Sequence, residues 1–374
     1  MTMAAVSKRQ QPDWVTPPRL IRSADEVRGM RVARREFLLS ACQAAGGVAV
    51  LALAGCGGAT AGSSPAASAK TSASAPASLG TLKVTSTALA GMHTPLWLAE
   101  NLGAWTKRGL TVELSQVTAD IATKALLAKE IDVLMQSPPA IVTADLNGNA
   151  DLVYVGSLFN HSQFALVAQS TIQSAADLKG KSIGTDLPGS TADYQTRVLL
   201  SKLGLQASEV NLLKLEPAKG ILAALISGQI QAGTLGVPQQ FQAEAKGCRI
   251  LANTFDIQYQ NIGPVVLKSR IDELSSKLAP LLLGLRDGMQ AFAAQPDLAK
   301  QLMAKFTQES DEDILRRTYD FYAKDVRFQV DLEPTLEGIQ SIVDFLATTI
   351  LPAAKNVKAE QFVDRRILDR LPKS

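Results

Sequence analysis

Histidine and cysteine are almost missing, with two and three residues in a chain of 374. A zinc site needs three or four closely placed ligands, and His93 and His161 have no clear third, so no metal is expected. Cys42, Cys56 and Cys248 form neither a paired CxxC nor a disulfide framework. Cys248, just before Ile250-Leu251, reads as a small buried hydrophobe. HExxH, GxSxG and Walker A patterns are absent as well, which leaves no recognisable catalytic motif and implies no cofactor. An excess of charge is lacking too. The net charge is +3, but residues 1–55 carry eight Lys/Arg against four acids, leaving 30 against 31 in the rest. That near-neutral body has no basic field for nucleic acid.

What is present is a globular composition, 46% hydrophobic and 20% charged, in a chain long enough for a two-lobed body. It is preceded by an export-like segment. Arg34-Arg35-Glu36-Phe37-Leu38-Leu39 sets a twin arginine before an apolar stretch, residues 37–54, that ends in Leu53-Ala54-Gly55-Cys56. The arrangement resembles a twin-arginine signal with a lipoprotein box, in which Cys56 becomes the lipidated first residue. The stretch is short for a membrane span and is interrupted by Gln43, Gly46 and Gly47. A diacylglyceryl cysteine would hold the protein stably at the outer face of the cytoplasmic membrane. Met30 begins an ordinary-looking signal and is an alternative initiator to Met1. Residues 57–79, almost free of bulky side chains, read as a flexible tether.

From residue 81 onward, short β-rich runs alternate with helix patterns, the signature of an α/β fold with mainly parallel sheets. The expected strands are 81–87, 111–117, 131–135, 152–156 and 164–168, and then 181–184, 210–215, 232–235, 249–252 and 265–268. Helices are expected at 95–102, 121–129, 138–148, 191–203, 217–228 and 238–247. Beyond residue 270 the chain reads as helix, at 274–292, 298–306, 313–322, 336–348 and a last stretch at 362–371. Pro95, Pro138, Pro217 and Pro238 each follow a strand at a presumed first helical position, where the N–H is unpaired anyway. Ser190-Thr191-Ala192-Asp193 adds a capping-box-like start. In open parallel sheets, ligands bind where strand carboxyl ends meet helix N-termini, so two such edges facing each other would form a cleft.

Several motifs occur in one order along residues 81–270. They are Thr94-Pro95-Leu96-Trp97-Leu98-Ala99-Glu100-Asn101-Leu102-Gly103 with Arg108-Gly109-Leu110-Thr111-Val112-Glu113, then Ala125-Leu126-Leu127-Ala128-Lys129-Glu130-Ile131-Asp132-Val133 and Gly148-Asn149-Ala150-Asp151-Leu152. Ala176-Asp177-Leu178-Lys179-Gly180-Lys181-Ser182-Ile183-Gly184 is the most specific, followed by Gly189-Ser190, Gly204-Leu205 and Ala224-Leu225-Ile226-Ser227-Gly228. Together they resemble the nitrate, sulfonate, taurine and pyrimidine-precursor binding proteins of ABC importers. One departure is Gln231-Ala232, where that family often has an acidic residue before the alanine.

The resemblance implies a two-lobed, hinged periplasmic-binding-protein fold of type II, each lobe a mainly parallel sheet flanked by helices. The implied order is signal 1–55, tether 56–79, first lobe 80–168, second lobe 169–263, and a return with C-terminal helices, 264–374, packed on the first lobe. The crossings are expected near Gln169 and Gly263. It further implies a monomer that binds a small solute, with an ABC permease and its ATPase as partners. The alternatives are a sensing lipoprotein paired with a receptor, and a pyrimidine-synthase-like enzyme. The latter carries a cysteine-rich motif that this chain lacks.

On the first lobe the candidate ligand-binding residues are Met92, His93, Thr94, Thr118, Gln136, Ser137, Ser157 and His161, with Asp120, Phe159 and Asn160 nearby. Gly189, Ser190, Thr191, Pro238 and Gln239, with Thr234, face them from the second. Taken singly, each histidine reads more readily as a solvent-exposed loop residue, while the pair, both on one edge, points to the cleft. No Arg or Lys is among the second-lobe candidates, so an anion would depend on helix N-termini and hydroxyls. A neutral or aromatic solute, stacked on Phe159, Tyr194 or Phe241, is equally allowed.

Overall fold

The computed structural model describes residues 77–373 apart from Asn149 and Pro217. The twin arginine, Cys56, the tether up to residue 76 and the helix start expected at Pro217 lie outside the described residues. The chain builds two sheets. The first contains β1 (Gly80–Ser86), β2 (Leu110–Gln116), β3 (Val133–Gln136), β4 (Leu152–Tyr154) and β11 (Gln258–Leu267) in the order β2-β1-β3-β11-β4, with β5 (Phe159–His161) on β11. The second contains β6 (Ala165–Ala168), β7 (Ser182–Thr185), β8 (Asn211–Lys214), β9 (Ala232–Leu235) and β10 (Arg249–Asn253) in the order β10-β6-β9-β7-β8.

Burial follows position in the sheet. In β1, Leu82 and Val84 face the core while Lys83 points outward, whereas the four residues of β3 are all buried, as a central strand covered on both faces requires. The helices fill in between: α1 (Thr94–Asn101), α2 (Ala119–Leu127), α3 (Pro138–Gly148), α4 (Thr191–Lys202), α5 (Lys219–Ser227) and α6 (Gln239–Glu244). The C-terminal part adds α7 (Ile271–Ala294), α8 (Pro296–Thr307), α9 (Glu312–Asp320), continued by a π-turn (Phe321–Asp325), and α10 (Leu336–Thr349). One hydrophobic cluster joins Leu82 and Val84 to Trp105, Leu281 and Leu285; a second, on the other face of the same sheet, joins Leu134 and Tyr154 to Ile339 and Ile342 of α10. The second sheet is likewise covered on two faces, by the Leu199 and Ile221 sides.

α1 is apolar on nearly every face, because it lies between the first sheet and α7 and α8. Its close fit depends on small residues: Gly284 of α7 lies against the Trp105 ring and Gly288 against the Pro95 carbonyl. Trp105 Nε1 donates to the Leu281 carbonyl at 3.1 Å, and Trp97 stacks on Phe306 with centroids 4.5 Å apart.

Three expectations need correction. The run ending at Ala168, assigned to the first lobe, is β6 and pairs antiparallel with β9 in the second sheet. The chain therefore crosses at 162–164 and 254–257, before Gln169 and before Gly263. The two crossings bond to each other: Ser162 N donates to Ile257 O (3.1 Å), Thr254 N to Phe164 O (3.0 Å), and the Ser162 and Thr254 hydroxyls are 2.5 Å apart. The last stretch, expected as helix, is two short 3₁₀ turns, Ala359–Phe362 and Leu368–Arg370. Its backbone covers the β4 edge instead, with Asp364 N donating to Tyr154 O at 2.9 Å.

Candidate functional site

The strand ends that precede helices converge. From the first sheet, β1 leads through a 3₁₀ turn, Gly91–His93, into α1, and β3 leads through Gln136 and Ser137 into α3. From the second, β7 leads to the Ser190 cap of α4, and β9 leads through Pro238 into α6.

The lobes touch on two rims. On one, the Ser137 and Thr191 hydroxyls are 2.9 Å apart, and Tyr259 OH donates to Thr191 Oγ1 at 3.3 Å. Tyr194 stacks on Tyr259 and donates to Ser341 Oγ at 3.2 Å, while Gly189 lies so close to Ile350 that a Cβ would overlap it. On the other rim, Arg317 of α9 pairs with Glu244 and covers the Phe241 ring at 4.2 Å, and Gln242 Nε2 donates to Glu309 at 2.6 Å. The Arg317–Glu244 pair is about one-third exposed, so it is worth about 1 kcal/mol or less.

Several buried side-chain polar atoms among the described residues have no hydrogen-bond partner. They are both nitrogens of His93, both amide atoms of Gln240, Thr318 Oγ1, His161 Nδ1, and Nε2 of Gln136, Gln195 and Gln260. Each such group costs roughly 1–3 kcal/mol when left bare, and those of His93, Gln136 and Gln240 stand where a strand gives way to a helix. His93 is fully buried, and burial lowers its pKa to about 4, outweighing the opposing hydrogen bond with the Ala90 backbone. The imidazole is therefore neutral at pH 7. Burial also holds the Tyr259 hydroxyl well above its usual value, so it too remains protonated.

The NMT1/THI5-like family model matches residues 90–299, more than half of the chain and every one of these edges. The chain belongs to the NMT1/THI5-like family. A Brucella abortus protein provisionally named as a binding protein is 27% identical over 215 residues, 57% of this chain and 61% of the relative. The chain thus spans under two thirds of that relative's length. The solved periplasmic aliphatic sulphonate binding protein SsuA from Escherichia coli superposes with a TM-score of 0.64 at 18% identity, over 76% of this chain and 92% of that one. The ligand-binding component of an ABC-type import system from Staphylococcus aureus gives 0.66 at 15% identity, over 79% and 100%. At these identities the likeness carries the fold: this NMT1/THI5-like chain has the periplasmic binding protein fold, with two α/β lobes.

The expected residues of this NMT1/THI5-like site divide in two. His93, Gln136 and His161 carry unpartnered atoms, and Ser137 and Thr191 join the lobes. Met92 is beside them, its sulfur accepting from Gln163 Nε2 at 3.2 Å. Others are spent locally. Thr94 Oγ1 donates to Gly91 O (2.6 Å), Ser157 Oγ to Asn160 Oδ1 (2.8 Å), and Asn160 Nδ2 to Gln329 Oε1 (2.7 Å). Thr118 is an exposed cap bonded to the exposed Asp120 (2.7 Å), outside the enclosed region. Phe159 is core, edge-on to Tyr322, and Thr234 bonds Thr196 inside the second lobe at 2.7 Å.

The Gly189-Ser190 turn was expected to offer free N–H groups, and it does not. Gly189 N donates to Asp193 Oδ2 (2.8 Å), Ser190 N to Leu187 O (3.0 Å), and Ser190 Oγ accepts from Asp193 N (3.2 Å). Asp193 and the Leu187 carbonyl together satisfy the turn that a ligand was expected to satisfy. Pro238 is buried just before α6, and Gln239 is half-buried beside the fully buried Gln240. Gln195, Gln240, Gln260, Thr318 and Tyr259 were not anticipated. Gln195 is one turn past Thr191 on the same helix face and could have been.

Proposed function

We propose that this chain is an extracytoplasmic solute-binding protein of an ABC importer, holding a small organic or anionic solute between its lobes. The observation that carries the reading is the set of unpartnered polar groups enclosed where the two lobes' strand ends converge. His93, Gln136, Gln195 and Gln240 would line the solute, with Ser137 and Thr191 on the rim where the lobes meet. The names of the E. coli and S. aureus neighbours, a sulphonate binder and an ABC import component, support the same reading. Simple binding also suits the thiol chemistry: Cys248, the one cysteine among the described residues, is half-buried, and burial pushes its pKa up.

A thermal-shift screen against a solute library tests the reading. A ligand at one hundred times its Kd stabilises by about 2.7 kcal/mol, so at least one solute should raise the midpoint by several degrees. A wide library of sulfonates, nitrogen heterocycles, amides and inorganic anions that gave no shift would count against it.

We also propose that Cys56 carries a lipid anchor, from the box Leu53-Ala54-Gly55-Cys56 after the apolar run. Cys56→Ser should abolish fatty-acid labelling and release the protein from membranes. Continued labelling of the variant would show that the anchor lies elsewhere.

A further inference from the structure

We propose that the enclosed site takes an uncharged solute bearing a hydrogen-bond donor beside an acceptor, the edge of a carboxamide, urea or lactam, and that His93, Gln240 and Thr318 read that edge. The proposal rests on the solute-binding reading above and narrows its ligand class.

Helix α9 carries Thr318 and packs on the elements that carry the other two. Thr318 packs on the turn that ends in His93: a Cβ on Gly91 would come within 2.9 Å of Thr318 Cγ2. The preceding residue, Arg317, lies over the ring of Phe241, the neighbour of Gln240. Tyr322, four residues after Thr318, bonds Gln163, whose amide nitrogen also reaches Met92 beside His93. His93 and Gln240 have no measurable exposure and Thr318 has 1%, yet both amide atoms of Gln240 and the Thr318 hydroxyl lack a partner, and the only group that acts on the His93 imidazole is the Ala90 backbone.

The chemistry of those five atoms is balanced. A neutral imidazole has one N–H and one bare nitrogen, a glutamine amide has a carbonyl and an NH₂, and a threonine hydroxyl both gives and accepts. His93 is in its neutral form, because burial holds its pKa at about 4. Arg317 is paired with Glu244, and Arg197, on α4, with Asp193 at 3.0 Å, so neither guanidinium is free to meet an anion. An oxyanion offers only acceptors and would leave the bare imidazole nitrogen and Gln240 Oε1 unmet in a dry place. Each unmet group costs roughly tenfold to a hundredfold in affinity. A carboxamide-type edge meets both kinds of group at once.

The test is a set of matched small probes on the full chain, read by thermal shift and by ligand-observed NMR: benzamide and valerolactam against benzenesulfonate at equal millimolar concentration. Benzamide or valerolactam should bind and raise the midpoint, while benzenesulfonate should not. His93→Phe, Gln240→Leu and Thr318→Val should each weaken amide binding at least tenfold. Their unliganded midpoints should stay level or rise, because each removes an unsatisfied buried group. Binding of benzenesulfonate in preference to the amides would overturn the proposed ligand class while leaving the solute-binding reading in place. Absence of binding by all three probes would overturn it too, with the library screen then deciding the broader reading. Variants that lose stability and keep amide affinity would show that these side chains serve the fold and not a ligand.

Discussion

Gly288→Ala should be among the most damaging single-methyl changes in the protein, costing on the order of 3 kcal/mol or more. The added Cβ would overlap the carbonyl oxygen of Pro95 and lie 2.9 Å from its carbonyl carbon and 3.2 Å from the amide nitrogen of Ala99. All three atoms are backbone, so no side-chain rotation relieves the overlap; α1 or α7 must move bodily. Because α1 starts directly after His93, that movement would disturb the site as well as the core. Gly148→Ala is the control. Gly148 closes α3 with nothing within 4 Å of its would-be Cβ, and the change there should be neutral or stabilising by up to about 1 kcal/mol. Urea unfolding of the two variants beside the parent protein checks both values. Equal midpoints for the two variants would mean that α1 and α7 are not this close.

The local grammar of the fold was legible because it is written in adjacent residues. Pro95 and Pro138 sit in the first turns of α1 and α3, Gly103 follows α1, and Ser190 caps α4 through the bond from Asp193 N. Central strands such as Val133–Gln136 stood out through a short apolar run, Val133-Leu134-Met135. What was lost is what depends on distant partners. The run ending at Ala168 reads as a strand in either lobe, and only its pairing with β9 and β10 assigns it to the second. β5 has three residues and is a strand only because β11 is beside it.

The site follows the same division. Strand ends and helix starts were legible, so His93, Gln136, Ser137 and Thr191 could be placed at them. The capping role of Asp193 was visible in the pattern of the turn, but that its carboxylate would take the N–H of Gly189 while Leu187 O takes that of Ser190 required the actual bonds. Thr318 packs on the Gly91 turn from a helix more than two hundred residues after His93, and nothing in its neighbourhood sets it apart from other helical threonines.

The central claim, that a solute is held between lobes that close over it, is most directly tested by locking them. Ser137 and Thr191 belong to different lobes and their hydroxyls are 2.9 Å apart, close enough for a Ser137→Cys/Thr191→Cys pair to oxidise to a disulfide when the lobes meet. The measurement is retention of a radiolabelled solute, chosen as one that raises the midpoint of the parent protein, after exhaustive dialysis of the oxidised double variant. If the account is right, protein oxidised before the solute is added takes up almost none. Protein oxidised afterwards keeps it through dialysis and releases it on reduction. Free exchange of the solute in the oxidised protein, at the rate seen in the reduced form, would contradict the account.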